Sequence, residues 1–126
     1  MQDGVFNIER ETRSNEDYRR VLRTGSRHQI VLMKLKPGEE IGSEVHGDTD
    51  QFIRLEQGTG KAVINGKEYS IRDDWAVDVQ AGTRHNIINT SRTEAMKLYT
   101  IYSPPHHPPD LVQRDKPAVV LDLHID

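Results

Sequence analysis

Four side chains in the middle of the chain, Glu44, His46, Gln51 and His85, offer oxygen or nitrogen lone pairs at spacings suited to a single divalent metal ion. Glu44 and His46 are two positions apart, so on an extended segment both project to the same side. Gln51 opens an alternating run in which Gln51, Ile53 and Leu55 share one face and Phe52, Arg54 and Glu56 the other. The first face is the more apolar and is expected to point inward. His85 begins a later run and shares its face with Ile87 and Asn89. A carboxylate, two imidazoles and an amide carbonyl would meet at one point, with Gln51 contributing only if its amide oxygen is turned inward. Such a set, without thiolate, suits Mn, Fe, Co, Ni, Cu or Zn. Four protein ligands on an octahedral ion would leave two positions for water or for a substrate with adjacent oxygens. There the ion would polarise a carbonyl or stabilise enolate-like charge. Iron in the same place could take substrate and O2.

Each of these residues has a plainer reading. Glu44 could be a rim carboxylate or a group that orients His46, and it is the candidate general base if it is not a ligand. His85 could be a buried histidine bonded to a backbone carbonyl. Asp48 offers a different pair, His46-x-Asp48, and Asp50 reads as a loop carboxylate. His106 and His107 lie between prolines and read as loop residues, with a possible place at the mouth of the site. His28 and His124 read as ordinary strand positions, and Trp75, Tyr99 and Tyr102 as core aromatics.

The elements that must position these groups are short strands. Glycine and proline punctuate the chain at fairly even intervals, the pattern of a many-stranded antiparallel protein. Strands are expected over 17–24, 28–36, 51–57, 75–79, 85–89 and 95–102. Asn65-Gly66, between two alternating runs in 61–71, predicts a two-residue hairpin, since both turn positions need positive φ. A short helix could lie in residues 8–20 or in the tail. Pro104-Pro105-His106-His107-Pro108-Pro109 reads as a stiff extended segment, and residues 118–125 as an extra strand that could dock on a partner subunit. Eight to ten strands in one domain imply a closed or double-sheet architecture.

With these elements in place, the chain resembles the cupins. The first cupin motif runs Gly, five residues, His-x-His, three or four residues, Glu, six residues, Gly. Here Gly38, Glu44-Val45-His46, Gln51 and Gly58 fall at those spacings, with Glu44 in place of the first His and Gln51 in place of the Glu. The second motif runs Gly, five residues, Pro-x-Gly, two residues, His, three residues, Asn. Asp74, Gln80-Ala81-Gly82, His85 and Asn89 follow it, departing at the leading Gly and the Pro. The resemblance implies an all-β double-stranded β-helix (a jelly-roll barrel) over about 17–103, in a single domain of 1–126 with a tail of 104–126. It also implies one bound transition metal and pairing into a homodimer. Some cupins of sugar-acid breakdown and some sugar-phosphate isomerases use a Gln ligand. The resemblance thus favours isomerase- or tautomerase-type chemistry on a sugar or sugar acid, beside a dioxygenase and a non-enzymatic binding or sensor cup.

Composition is compatible with this. The chain has 126 residues, a net charge of −3 and no cysteine, which excludes disulfides and thiolate sites. Well-mixed charge argues against a nucleic-acid partner; the one basic cluster, Arg19-Arg20-Val21-Leu22-Arg23, reads as a solvated strand face. Apolar runs are far shorter than the roughly 20 residues of a membrane span. The first residues lack the features of a secretory signal, so a cytoplasmic location is expected.

Overall fold

The computed structural model describes residues 3–118. One helix, α1 (Ile8–Ser14), precedes nine strands: β1 (Arg19–Thr24), β2 (Gln29–Leu35), β3 (Asp50–Gln57), β4 (Thr59–Ile64), β5 (Lys67–Arg72), β6 (Ala76–Val79), β7 (His85–Asn89), β8 (Met96–Ser103) and β9 (Val112–Gln113). They form a six-stranded sheet of order β6-β3-β8-β2-β1-β9 and a three-stranded sheet of order β5-β4-β7. All pairings are antiparallel. The architecture is the all-β double-sheet jelly roll that the motif spacing implies.

Register explains which side chains reach the interior. In the large sheet, Gln51 pairs with Tyr102 and Tyr102 with Gln29; two residues along, Ile53 pairs with Thr100 and Thr100 with Val31. Directly opposed residues face the same side, so these form successive inward layers, continued by Leu55, Leu98 and Met33. All are buried, and most of them belong to the apolar core. The polar members, Gln29, Gln51 and Thr100, lie at or next to the Tyr102 end of these layers.

The hairpin between β4 and β5 turns at Asn65 and Gly66, with φ of 50° and 83°, as the two-residue loop requires. Asp74, where the motif has glycine, also has positive φ, at 72°; the motif's glycine reflects a left-handed turn that aspartate tolerates. Gly60 serves a different need: a Cβ there would run into the Ile88 carbonyl and the Met96 side chain. Asn89 is fully buried, and its amide donates to the carbonyls of Leu35, Lys36 and Glu94. The Asn of the second motif is therefore a staple between loops.

The helix is capped by Asn7, whose side chain accepts from Arg10 N at 3.0 Å. A helix this short is held by its contacts. Lys97, buried on the outer face of β8, donates to the carbonyls of Arg13 and Asn15 at the helix end and to Glu16 Oε1. Arg13 in turn reaches the Glu56 carbonyl at 2.8 Å.

Some expectations need correction. Trp75 is not a core aromatic: it precedes β6 and is 49% exposed. Tyr99 faces outward and is half-buried, while Tyr102 is in the core. His28 sits in the turn before β2. Residues 104–113 fold back and end as β9 against β1, so the proline segment is a strap across the barrel. His124 and most of the expected tail strand lie outside the described residues.

Candidate metal centre

Three elements bring the predicted donors together. Gln51 comes from β3 of the large sheet, His85 from β7 of the small one, and Glu44 and His46 from the segment that joins β2 to β3. That segment runs alongside β7: Glu44 and His85 exchange backbone hydrogen bonds of 2.9 Å in both directions, as an isolated antiparallel bridge. Their side chains are thereby neighbours on one face. Gly82 N donates to the His46 carbonyl at 2.7 Å, and Asp50 caps Ala81 N at 2.8 Å. The turn before His85 is thus tied to both ends of the ligand-bearing segment, and Asp50, expected as a loop carboxylate, is instead the first residue of β3.

The donor atoms of Glu44, His46 and His85 lie within 4.8 Å of one another. Gln51 joins them through Oε1, 3.0 Å from His85 Nε2. Asp48 is exposed and is not part of the cluster.

The hydrogen bonds around these atoms fix which lone pairs point inward. His85 Nδ1 is 2.9 Å from the Thr83 carbonyl, a group that only accepts, so Nδ1 carries the proton. In the neutral ring Nε2 is then a bare lone pair. Gln51 Nε2 donates to Thr100 Oγ1 at 3.0 Å, which turns Oε1 toward that lone pair. In this orientation two acceptors face one another at hydrogen-bond distance, a contact relieved by a proton or a cation between them, or by turning the amide over with the Thr100 hydroxyl donating. His46 Nε2 adds a third: it is buried, has no hydrogen-bond partner, and lies 3.9 Å from Glu44 Oε1. Burial pushes the His46 ring below the usual histidine range, against the pull of Glu44. A neutral, unpartnered imidazole nitrogen beside a carboxylate is the arrangement a cation would complete, and the residues fit one.

His106 and His107, read from the sequence as loop residues with a place at the mouth of the site, do lie there; sequence reasoning missed what holds them. Beyond the cis Ser103–Pro104 bond the strap brings His106 over the site. Its ring centre is 4.4 Å from that of His46 and stacks on Tyr102 at 5.2 Å. His107 packs edge-on against Tyr102 at 5.1 Å. Burial, aided by Arg19, lowers the His107 pKa to about 4, so the ring is neutral. Gln29 holds the strap: its Oε1 accepts from His106 N and His107 N at 3.1 and 2.9 Å, and its Nε2 donates to the His107 carbonyl at 2.8 Å. A glutamine at the head of the apolar run Ile30-Val31-Leu32-Met33 is the one sequence signal that could have pointed to this clamp.

The description "Cupin domain" belongs to the family model that matches residues 31–102, and the chain belongs to the cupin family. It is 45% identical over 117 residues to protein L612 of Acanthamoeba polyphaga mimivirus, a match covering 90% of this chain and 72% of that protein. It is 46% identical over 123 residues to YrkC of Bacillus subtilis, covering 92% and 65%. The chain thus spans about two thirds of each relative's length. Among solved structures, BH2720 from Bacillus halodurans matches with a TM-score of 0.85 and 41% identity over 87% of each chain.

Proposed function

We propose that this cupin holds one divalent transition metal ion through Glu44, His46, Gln51 and His85 and presents it to a small oxygen-rich molecule, such as a sugar or sugar acid. The observation that carries the reading is the convergence of these four side chains around the buried His46 Nε2, which has no hydrogen-bond partner. When bound, the ion would supply positive charge to polarise a carbonyl or steady an enolate-like anion, the basis of isomerase- or tautomerase-type chemistry. The chain's own residues do the positioning. Thr83 selects the His85 tautomer, Thr100 orients the Gln51 amide, and burial keeps His46 unprotonated. Tyr102, His106 and His107 wall the site and limit the water that reaches it.

Metal content per chain, measured by elemental mass spectrometry on tag-free protein and on the Glu44, His46, Gln51 and His85 single alanine variants, tests the reading. Near one equivalent, lost in the variants, supports it. A chain that takes up no transition metal after reconstitution, or variants that keep it, overturns it and leaves a metal-free binding cup. Iron accompanied by O2 consumption would move the activity to the dioxygenases.

A further inference from the structure

Strand β5 ends the small sheet on one side, as β6 ends the large one. Among the described residues nothing pairs with its outer edge, and Lys67, Glu68, Tyr69, Ser70 and Arg72 are all exposed. The hairpin decides which groups that edge offers. Its two-residue turn closes on Ile64 and Lys67 as a hydrogen-bonded pair. Lys67, Tyr69 and Ile71 therefore direct their backbone groups to β4, while those of Glu68, Ser70 and Arg72 point away from it. Side chains sort in the same way. Tyr69 and Ile71 lie on the inner face, where with Ile64, Trp75 and Val77 they line a groove of about 250 Å3 between the margins of the two sheets. Tyr69 is 45% exposed there. Glu68 and Arg72 lie on the outer face. Glu68 Oε1 is 3.2 Å from Lys61 Nζ, yet its side chain stays 61% exposed. Among the described residues Arg72 meets no carboxylate.

Charges on an exposed edge usually keep other strands away. Here the two signs stand four residues apart with Ser70 midway, so the edge is complementary to its own copy. We infer that a second copy of this chain docks on it, the two β5 strands running antiparallel about a two-fold axis at Ser70. Glu68 then meets the partner's Arg72 and Arg72 meets the partner's Glu68, while Tyr69 packs on the partner's Ile71 across the groove mouth. The opposed residues are those whose backbone groups point outward, so the two three-stranded sheets become one. Sliding the copies by one pair sets Arg72 opposite Gly66 or Ser70 instead, and charge therefore selects the register. The contact is isologous and closes at two chains.

Sedimentation equilibrium on the full chain, from about 1 to 500 µM as suits a small interface, is expected to show a reversible dimer. Glu68→Arg sets arginine against arginine at both places across the axis, and Arg72→Glu sets glutamate against glutamate. Each is expected to weaken association about tenfold. An equimolar mixture of the two variants opposes unlike charges at both places and should regain most of the affinity. Losing the Lys61 contact within one chain cannot produce that recovery. Ser70→Pro removes the central N–H at an edge position that tolerates proline and should leave a folded monomer. A chain that stays monomeric over the whole range, a dimer untouched by the substitutions, or a mixture that associates no better than its components overturns the inference. If Ser70→Pro does not fold, the two charge variants and their mixture decide.

Discussion

At the scale of single residues, Gln51 is the donor with the least to give an ion. It carries no charge, and its oxygen faces the centre because Thr100 takes the amide nitrogen. Gln51→Glu would replace a neutral oxygen with an anionic one in the same place, with Thr100 free to turn its hydroxyl and donate. Metal affinity is expected to rise by about tenfold, since added ligand charge tightens cation binding. Competition with a metal-sensitive dye would show it, and unchanged or weaker affinity would mean that Gln51 is not at the ion. That these four side chains converge was legible from their types, their spacing and the motif resemblance. Their lone-pair directions were not, because those depend on Thr83 and Thr100, which carry no periodic or motif signal.

Among the elements, the strap and the helix show what sequence periodicity leaves out. The strands were readable because alternation and turn residues are local properties. The fold-back at 104–113 depends instead on Gln29, some seventy-five residues upstream, meeting two backbone N–H groups. Gln29→Ala would leave those donors without their partner and is expected to cost about 2 to 4 kcal/mol, read from urea unfolding. Weakened packing of His106 on Tyr102 should accompany it, visible as shifts in both ring signals. Loss below about 0.5 kcal/mol would show that the strap is held by other contacts. The helix is attached through charge. Glu16 meets Lys34 and Lys97, and chiefly its hydrogen bond from Lys34 holds the carboxyl below its ordinary value of 4.5. A depressed carboxylate pKa adds stability that is full above the unfolded value and is lost as pH falls through the folded one. Glu16→Gln is therefore expected to be less stable than the unsubstituted chain at neutral pH, the gap closing below about pH 4. A gap that persists in acid would assign the loss to packing.

For the whole molecule, the binding centre joins the two sheets. β3 and β7 lie in different sheets, and the Glu44–His46 segment runs between them. An ion held there would bind the folded state and have no comparable site in the unfolded one. At a free-metal concentration about a hundred times Kd the gain is about 2.7 kcal/mol, which for a domain of this size is roughly 10 °C in Tm. Scanning calorimetry with and without chelator should show that difference in the unsubstituted chain and its disappearance in His46→Ala and His85→Ala. A chelator-insensitive Tm throughout would argue that nothing cation-like bridges the sheets. The barrel as a whole was legible because two motifs at fixed spacing bracket an unmistakable hairpin. The exposure of Trp75 was not, because strand alternation names a face without saying whether another layer covers it.

Trp75 is the chain's single tryptophan. It lies 49% exposed beside β6, whose first residue pairs with Arg54, three positions along β3 from Gln51, or about 10 Å away. The position of its emission maximum therefore reports the wetness of the β5–β6 margin rather than that of the cup. An emission maximum that moves to the blue as protein concentration rises would register a second chain drying that margin. Titrations of the cup need a colour or a nucleus of their own.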